Sequence, residues 1–451
     1  MKIAAVGCLH GQLDVIYEKI DNIEKNQNIT IDLVLVCGDV QTIRNENDFH
    51  CISVPPKYRQ LGTFHQYYFG EKIAPKLTLL IGGNHEASNV FQTLPYGGWV
   101  APNMYYMGYC SVVKFGSFRI GGVSGIFKSH SARLPHFECL PYDQSSLRSI
   151  YHMREIEIFK LLQLSSEKKH VVDVFMSHDW PINIHQCATQ RDVNNLLQRK
   201  PHFRLEIEQN RFGNPLLQPL VNHLRPKHWF AAHMHAGFRA TVIHQPTDKK
   251  DSTDDQKEQS IIKTEFQALD KVLFKRYFLH VTDINFSGDE DQKPPCLEYD
   301  PEWLVILKKT DNLWIEIQNP NGIDLLNSSN KIEINQKDLD EIAKDFENDF
   351  RIPENFQCSS PVLIRNEDSD PERRRNYLNP QTTKFCSKLN IFDPNTMFIQ
   401  QESSTVKNPD EIDLDESDDE EDQNHTESEP TQKKRLKTEL FIIDTKGTLC
   451  E

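Results

Sequence analysis

Seven residues of metal-ligand type stand where runs of apolar β-formers give way to loops. Cys8 and His10 lie in G-C-L-H-G, Asp39 in C-G-D-V, and Asn84 in G-G-N-H-E; His178 lies in S-H-D-W, and His233 and His235 in A-H-M-H. A donor set that mixes thiolate, carboxylate, amide and imidazole suits two transition-metal ions joined by a carboxylate. Each donor alone has a plainer reading, because Asp and Asn are common turn residues and a lone histidine is more often a packed or surface group. Five strand-to-loop junctions that all end in donors do not fit that reading. Asp39 is the natural bridge, with Cys8, His10 and His235 on one ion and Asn84, His178 and His233 on the other. Two ions so held, about 3.5–4 Å apart, clamp a phosphate and generate a hydroxide between them. His85, directly after Asn84, can be a further ligand, a structural group or an acid; the favoured role is proton donor to a departing alkoxide. Glu86 is expected to orient His85 or to cap the helix that follows.

The elements that must position these residues are legible as short apolar runs. Lys2–Val6, Leu33–Cys37, Leu77–Ile81, Val171–Phe175 and His228–Ala232 read as buried strands. Ligands gather beyond the carboxyl ends of such strands in open α/β sheets. Helical spacing covers Leu13–Asn26 and Tyr151–Leu164, and closing strands are expected at Thr264–Lys271 and Arg276–Val281. This alternation predicts an α/β domain over residues 1–285, with an exposed polar loop at 245–259. A smaller C-terminal domain is expected over residues 298–395, with a strand at Trp303–Leu307 and a helix near Gln336–Phe350. From about residue 401 to 451 the composition becomes acidic and of low complexity, which predicts a disordered tail.

Charge and cysteine usage narrow the classes. The formal charge is -15, but residues 401–451 hold 16 Asp and Glu against 6 Lys and Arg, so the rest of the chain is close to balanced. An acidic total therefore does not exclude a nucleic-acid substrate. Ten cysteines without C-x-x-C pairs indicate neither a zinc finger nor a disulfide scaffold, and a reducing compartment leaves Cys8 free to act as a thiolate. No apolar run approaches the roughly 20 residues that span a bilayer, so no membrane partner is expected. Lys433–Lys437 in the tail reads as a nuclear-localisation signal, which predicts a nuclear protein, shuttling to the cytoplasm in some conditions, with an import receptor as partner.

The ligand fragments resemble the calcineurin-like metallophosphoesterases, whose pattern is D-x-H, G-D, G-N-H-E, a histidine and G-H-x-H. Three departures narrow the match. Cys8 replaces the first Asp; V-Q-T-I-R-N follows Asp39 where protein serine/threonine phosphatases have V-D-R-G; and G-G-N-H-E continues into A-S-N. These departures resemble the RNA lariat debranching enzymes, as do Cys51–Arg59, Tyr96–Asn103, Ser124–His130 and Arg148–Arg154. The resemblance implies a metallophosphoesterase β-sandwich of two mixed sheets flanked by helices. It also implies metal-dependent hydrolysis of the 2′-5′ branch linkage of excised intron lariats, giving linear RNA. It makes Cys8, His10, Asp39, Asn84, His178, His233 and His235 the metal sites and His85 the proton donor to the leaving 2′-oxygen. Of the ions attributed to the family, the Cys8 thiolate favours Fe²⁺ or Zn²⁺, with Mn²⁺ as a further member. A monomer is favoured.

Residues 127–154 are similar to the family's lariat-recognition segment. They interleave Lys128, Arg133, Arg148 and Arg154 with Phe127, Phe137, Tyr142 and Tyr151, a pattern that puts cations on phosphates and rings against splayed bases. Gln41, Arg44 and Asn45, just past Asp39, are further phosphate-donor candidates, although such residues also cap helices. The plain alternative is a loop whose aromatics pack beneath it. Two rival functions remain to be separated: a phosphoprotein phosphatase, disfavoured by the missing V-D-R-G, and a metal-free scaffold of the same fold, disfavoured by the complete donor set.

Overall fold

A computed structural model describes residues 1–404 except 168–169, 246–260, 285–294, 317–324, 327–330 and 360–376. Two mixed sheets carry the ligand loops. In the first, β1 (Lys2–Val6), β2 (Leu33–Val36), β3 (Thr78–Leu80) and β5 (Met104–Tyr106) run parallel. The flanking strands are antiparallel: β12 (Leu279–Asp283) beside β1, and β4 (Gly98–Ala101) beside β5. In the second, β7 (Phe118–Val123), β8 (Val174–Ser177), β9 (His228–Ala231) and β11 (Ile262–Ala268) run parallel. Antiparallel β10 (Phe238–His244) lies beyond β11, and β6 (Cys110–Phe115) and then β13 (Leu297–Tyr299) extend the other edge.

The period of two along each strand builds the layers. Ile3, Ala5, Leu33, Leu35 and Leu79 of the first sheet share a core with Val113, Ile120, Val174, Met176 and Phe230 of the second. Their neighbours Ala4, Val6, Val34, Val36 and Leu80 face outward onto Leu13, Ile16 and Ile20 of the helix Leu13–Gln27. On the outside of the second sheet, Val112, Phe175 and Trp229 pack against helices Glu155–Leu162, Leu217–Leu224 and Pro301–Lys309. The result is the expected α/β sandwich of two stacked mixed sheets flanked by helices. Both faces of the parallel strands are covered, which is why they read as unbroken apolar runs. Met1–Ser404 form one compact unit.

Three local expectations change. Trp303–Leu307, expected as a strand, lies inside the helix Pro301–Lys309. An apolar run of five cannot by itself distinguish the two. The flanks decide: Asp300 Oδ1 accepts the Trp303 N–H at 3.0 Å, Pro301 opens the first turn, and Lys308 and Lys309 close the last. The helix expected from Tyr151 begins only at Glu155, because Arg154 is extended and Glu157 caps its N–H. The closing strand expected from Arg276 begins at Leu279. The polar segment after Gln245, and the tail beyond Ser404 with Lys433–Lys437, lie outside the described residues. Among the described residues, no helix is long and apolar enough to cross a membrane.

Candidate metal centre

Cys8 and His10 follow β1, Asp39 follows β2, Asn84 and His85 follow β3, His178 follows β8, and His233 and His235 follow β9. Their parallel strands bring these ends together. One ligand atom from each of Cys8, His10, Asp39 and His235 lies within 4.8 Å of the others. The Nε2 atoms of His10 and His235 lie 3.1 Å apart, with the two rings nearly perpendicular. Asp39 stands between two groups of donors: its Oδ2 is 3.7 Å from His10 Nε2, and its Oδ1 is 3.4 Å from His178 Nε2. Beyond it, Asn84 Oδ1 is 3.3 Å from His178 Nε2, and the rings of His178 and His233 are 5.0 Å apart. All seven expected donors therefore converge, with the carboxylate in the middle.

The backbone is strained to aim them. His10, Asp39, His233 and His235 have φ of 48°, 53°, 59° and 47°, the left-handed region that disfavours non-glycine residues by about 1 kcal/mol or more each. Close approach of the loops depends on Gly83, where a Cβ would overlap the Asp39 carboxylate. Hydrogen bonds then hold the ligand loops in place. His178 Nδ1 donates to Cys37 O at 2.6 Å, leaving the Nε2 lone pair toward Asp39 and Asn84. Trp180 Nε1 donates to Ala232 O at 2.7 Å, tying the His178 and His233 loops together.

Electrostatics match a site built for cations. Burial, then the neighbouring Asp39, pushes the Cys8 thiol well above its usual range, against the His233 N–H that donates to Sγ at 3.1 Å. Burial pulls His178 down to about 4 and His235 down to about 3, so both imidazoles are neutral, the form that ligates metal. Burial opposes ionisation of Asp39, but His178, His85, His10 and His233 outweigh it and hold the carboxyl well below its usual range. The buried Asp39 carboxylate, and Cys8 when it ligates as a thiolate, gain a compensating positive charge from divalent cations. The donors fit the group.

Two residues have roles that the spacing did not reveal. Glu86, expected to orient His85 or cap a helix, instead accepts three backbone N–H groups: Val40 at 2.9 Å, Gln41 at 2.8 Å and Gly83 at 2.8 Å. It thereby ties the Asp39 loop to the Asn84 loop. His85 is oriented by Ser53, whose carbonyl accepts from Nδ1 at 3.1 Å, while its backbone N–H donates to Asp39 Oδ1 at 2.9 Å. Glu86 was visible as a carboxylate beside the ligands; nothing in the spacing marks Ser53.

The recognition segment divides into a buried frame and an exposed rim. Arg154, expected to touch substrate, is fully buried and pairs with the equally buried Glu138 at 2.6 Å, so its guanidinium cannot reach a ligand. Arg44 is buried too, with Nε and Nη2 on the Asp48 carboxylate at 3.0 and 2.8 Å. Both are corrections: desolvated guanidinium–carboxylate pairs frame their loops. The Tyr142 hydroxyl is engaged by Gln92 Oε1 at 2.5 Å. Tyr151 is half-buried, 3.4 Å from Ser53 Oγ, and Gln41 is half-buried beside Asp39 with φ of 57°. Lys128, Arg133, Phe137 and Arg148 remain exposed, and the Phe127 N–H donates to Asp179 Oδ2 at 3.0 Å.

Comparison with known proteins agrees with this geometry. Residues 1–237 match the calcineurin-like phosphoesterase family model, and residues 262–394 match that of the lariat debranching enzyme C-terminal domain. Lariat debranching enzyme A of Xenopus laevis is 42% identical over 463 residues, covering 94% of this chain and 82% of the relative. The chain belongs to the lariat debranching enzyme family. The mouse lariat debranching enzyme is 44% identical over 404 residues, covering 88% of this chain and 70% of its own. The Caenorhabditis elegans lariat debranching enzyme is 35% identical over 469 residues, covering 98% and 91%. The residues on which the resemblance rests, from Cys8 to the A-S-N run after Glu86, sit at or beside the converging loops.

Proposed function

We propose that this protein is a metal-dependent phosphodiesterase that hydrolyses the 2′-5′ branch linkage of lariat RNA, releasing linear RNA for turnover. The observation that carries the reading is the convergence of Cys8, His10, Asp39 and His235 within 4.8 Å, in a chain of this family. In this reading Cys8, His10 and His235 would hold one ion and Asn84, His178 and His233 the other, with Asp39 placed between the two groups of donors. When bound, a pair of divalent cations supplies Lewis-acid stabilisation of the phosphoryl oxygens and activates the attacking water. The thiolate favours Zn²⁺ or Fe²⁺ over harder ions.

The protein's own groups do the rest. A carbonyl can only accept, so His85 Nδ1 carries a proton toward Ser53 O. The opposite ring nitrogen, Nε2, is then the one aimed at the leaving 2′-oxygen, and it delivers a proton from the doubly protonated ring, which is left neutral with Nδ1–H still on Ser53 O. Lys128, Arg133 and Arg148, with Phe137 and Tyr151, hold the RNA around the branch. The same reading treats residues 1–285 as the catalytic region and 298–395 as a C-terminal domain, takes the chain as a monomer, and places it in the nucleus through Lys433–Lys437. The test is His85→Ala on a synthetic branched RNA: turnover is lost while both metal equivalents stay bound. Unchanged turnover removes the acid assignment, and a wild-type protein inert on branched RNA with metals loaded removes the function.

A further inference from the structure

Asp179 follows His178 in S-H-D-W, and the reading above gives it no role. Its carboxylate is buried where two loops of different purpose meet. Oδ2 accepts the Phe127 N–H at 3.0 Å, at the first residue of the recognition segment. Oδ1 lies 4.0 Å from Nε2 of His233, two residues past β9. The backbone at Asp179 is fixed from the sheet below: Ser177 Oγ donates to Asp179 O at 2.6 Å and accepts from Trp229 Nε1 at 2.8 Å. Phe127, Lys128, Asp179, His233 and Met234 line one open cleft, so the carboxylate stands between a ligand loop and the recognition segment.

Holding one backbone N–H does not call for a carboxylate, since a neutral amide oxygen accepts it too. A buried carboxylate is costly unless both of its oxygens meet donors. His233 can supply the second donor. A neutral imidazole that ligates a metal through one nitrogen carries its proton on the other, and an acceptor at that N–H fixes both tautomer and ring. Nε2 is the nitrogen turned to Asp179, which leaves Nδ1 for the ion. At 4.0 Å the pair stands about 1 Å beyond a hydrogen bond, a gap that a small rotation of the ring closes. We propose that Asp179 is a positioning residue that serves two loops at once. Oδ1 takes the His233 Nε2–H and so presents Nδ1 to the ion shared with Asn84 and His178, while Oδ2 sets where the recognition segment begins. Binding of that ion and placement of residues 127–154 are thereby coupled. This rests on the reading of His233 as a ligand.

The test is Asp179→Asn, which keeps the shape of the side chain but offers one acceptor to two donors. Its oxygen stays on the Phe127 N–H, the bond already formed, and its NH₂ then meets His233 Nε2 and favours the tautomer that protonates Nδ1. Chelator competition with Zn²⁺ as the probe shows one of two equivalents bound about 10–100-fold more weakly, the other unchanged, and the urea midpoint kept. In the wild type, Zn²⁺ slows hydrogen exchange of the peptide carrying the Phe127 amide more than that of the helix Gln336–Asp345; in Asp179→Asn that difference disappears. Two equivalents held at wild-type affinity overturn the proposal. So does a loss shared by both equivalents together with a lower urea midpoint, which would make Asp179 structural only. The wild-type exchange needs no variant, and equal slowing of both peptides overturns the coupling. No RNA enters the test, so failure on branched RNA is a separate result, whereas a wild type that binds a single equivalent overturns the two-ion reading and this proposal with it.

Discussion

Replacing Glu86 by Gln tests whether the two metal-bearing loops are held by a buried charge. The Glu86 side chain is 2% exposed; its Oε1 accepts from Val40 and Gly83, and its Oε2 accepts from Gln41. Gln keeps one carbonyl oxygen, so Val40 and Gly83 retain an acceptor at the strength of a neutral bond. The third N–H, of Gln41, then meets an amide NH₂, donor against donor. Losing one charge-assisted bond of roughly 1.5–3 kcal/mol and weakening two others by about 0.5–1 kcal/mol each gives a destabilisation of about 2.5–5 kcal/mol. Burial and Asp39 push the Glu86 carboxyl up to about 8, against the pull of the three N–H groups; bound cations reinforce that pull. The assay is urea unfolding of the metal-loaded protein near pH 8, with turnover of branched RNA measured in parallel. Turnover falls because Asp39 and His85 both depend on the clamped loops. Gln mimics a neutral carboxyl, so Glu86→Gln within 0.5 kcal/mol of wild type would refute the charged clamp.

Other expectations follow from the same geometry. Cys8→Ser lowers occupancy of one of two metal positions, because a hydroxyl is a poorer and harder donor than a thiolate; two full equivalents by elemental analysis would contradict it. Arg154→Met strands the buried Glu138 carboxylate and costs about 3–5 kcal/mol in denaturant unfolding, as for other broken buried pairs; a loss under 1 kcal/mol would mean that Glu138 finds another partner or a proton. Burial holds His152 down at about 3 and His244 at about 4, from a usual value of 6.5. The unfolded chain therefore takes up protons that the native state refuses, and their contribution, complete above pH 6.5, is lost as pH falls toward 4. His244→Gln flattens that dependence of the urea midpoint; an unaltered slope would remove His244 as a cause.

Much of the chemistry was readable from residue types alone. An apolar run ending in a donor requires only the chain itself, and five such junctions supply the donor-type residues whose loops the fold brings together. The buried parallel strands were legible for the same reason, since strands covered on both faces are apolar throughout; their division into two stacked sheets was implied only by the family resemblance. Trp303–Leu307 was misread because five apolar residues are compatible with either period, and the deciding cap, Asp300, lay outside the run. Which bases of residues 127–154 meet solvent was not legible. Lys128 and Arg154 are equally basic in sequence, yet one is exposed and the other fully buried against Glu138.

The identity of the donors, their attachment to strand ends and the class of reaction are properties of local sequence, since side-chain chemistry and β-periodicity need no distant partner. Which carbonyl turns His85 and which carboxylate clamps the Asp39 loop depend on contacts between segments far apart in the chain. Ser53 and His85 are 32 residues apart, Glu86 and Val40 are 46 apart, and Cys8 and Val272 are 264 apart. Such pairings arise from how the layers stack, and only the folded structure specifies them.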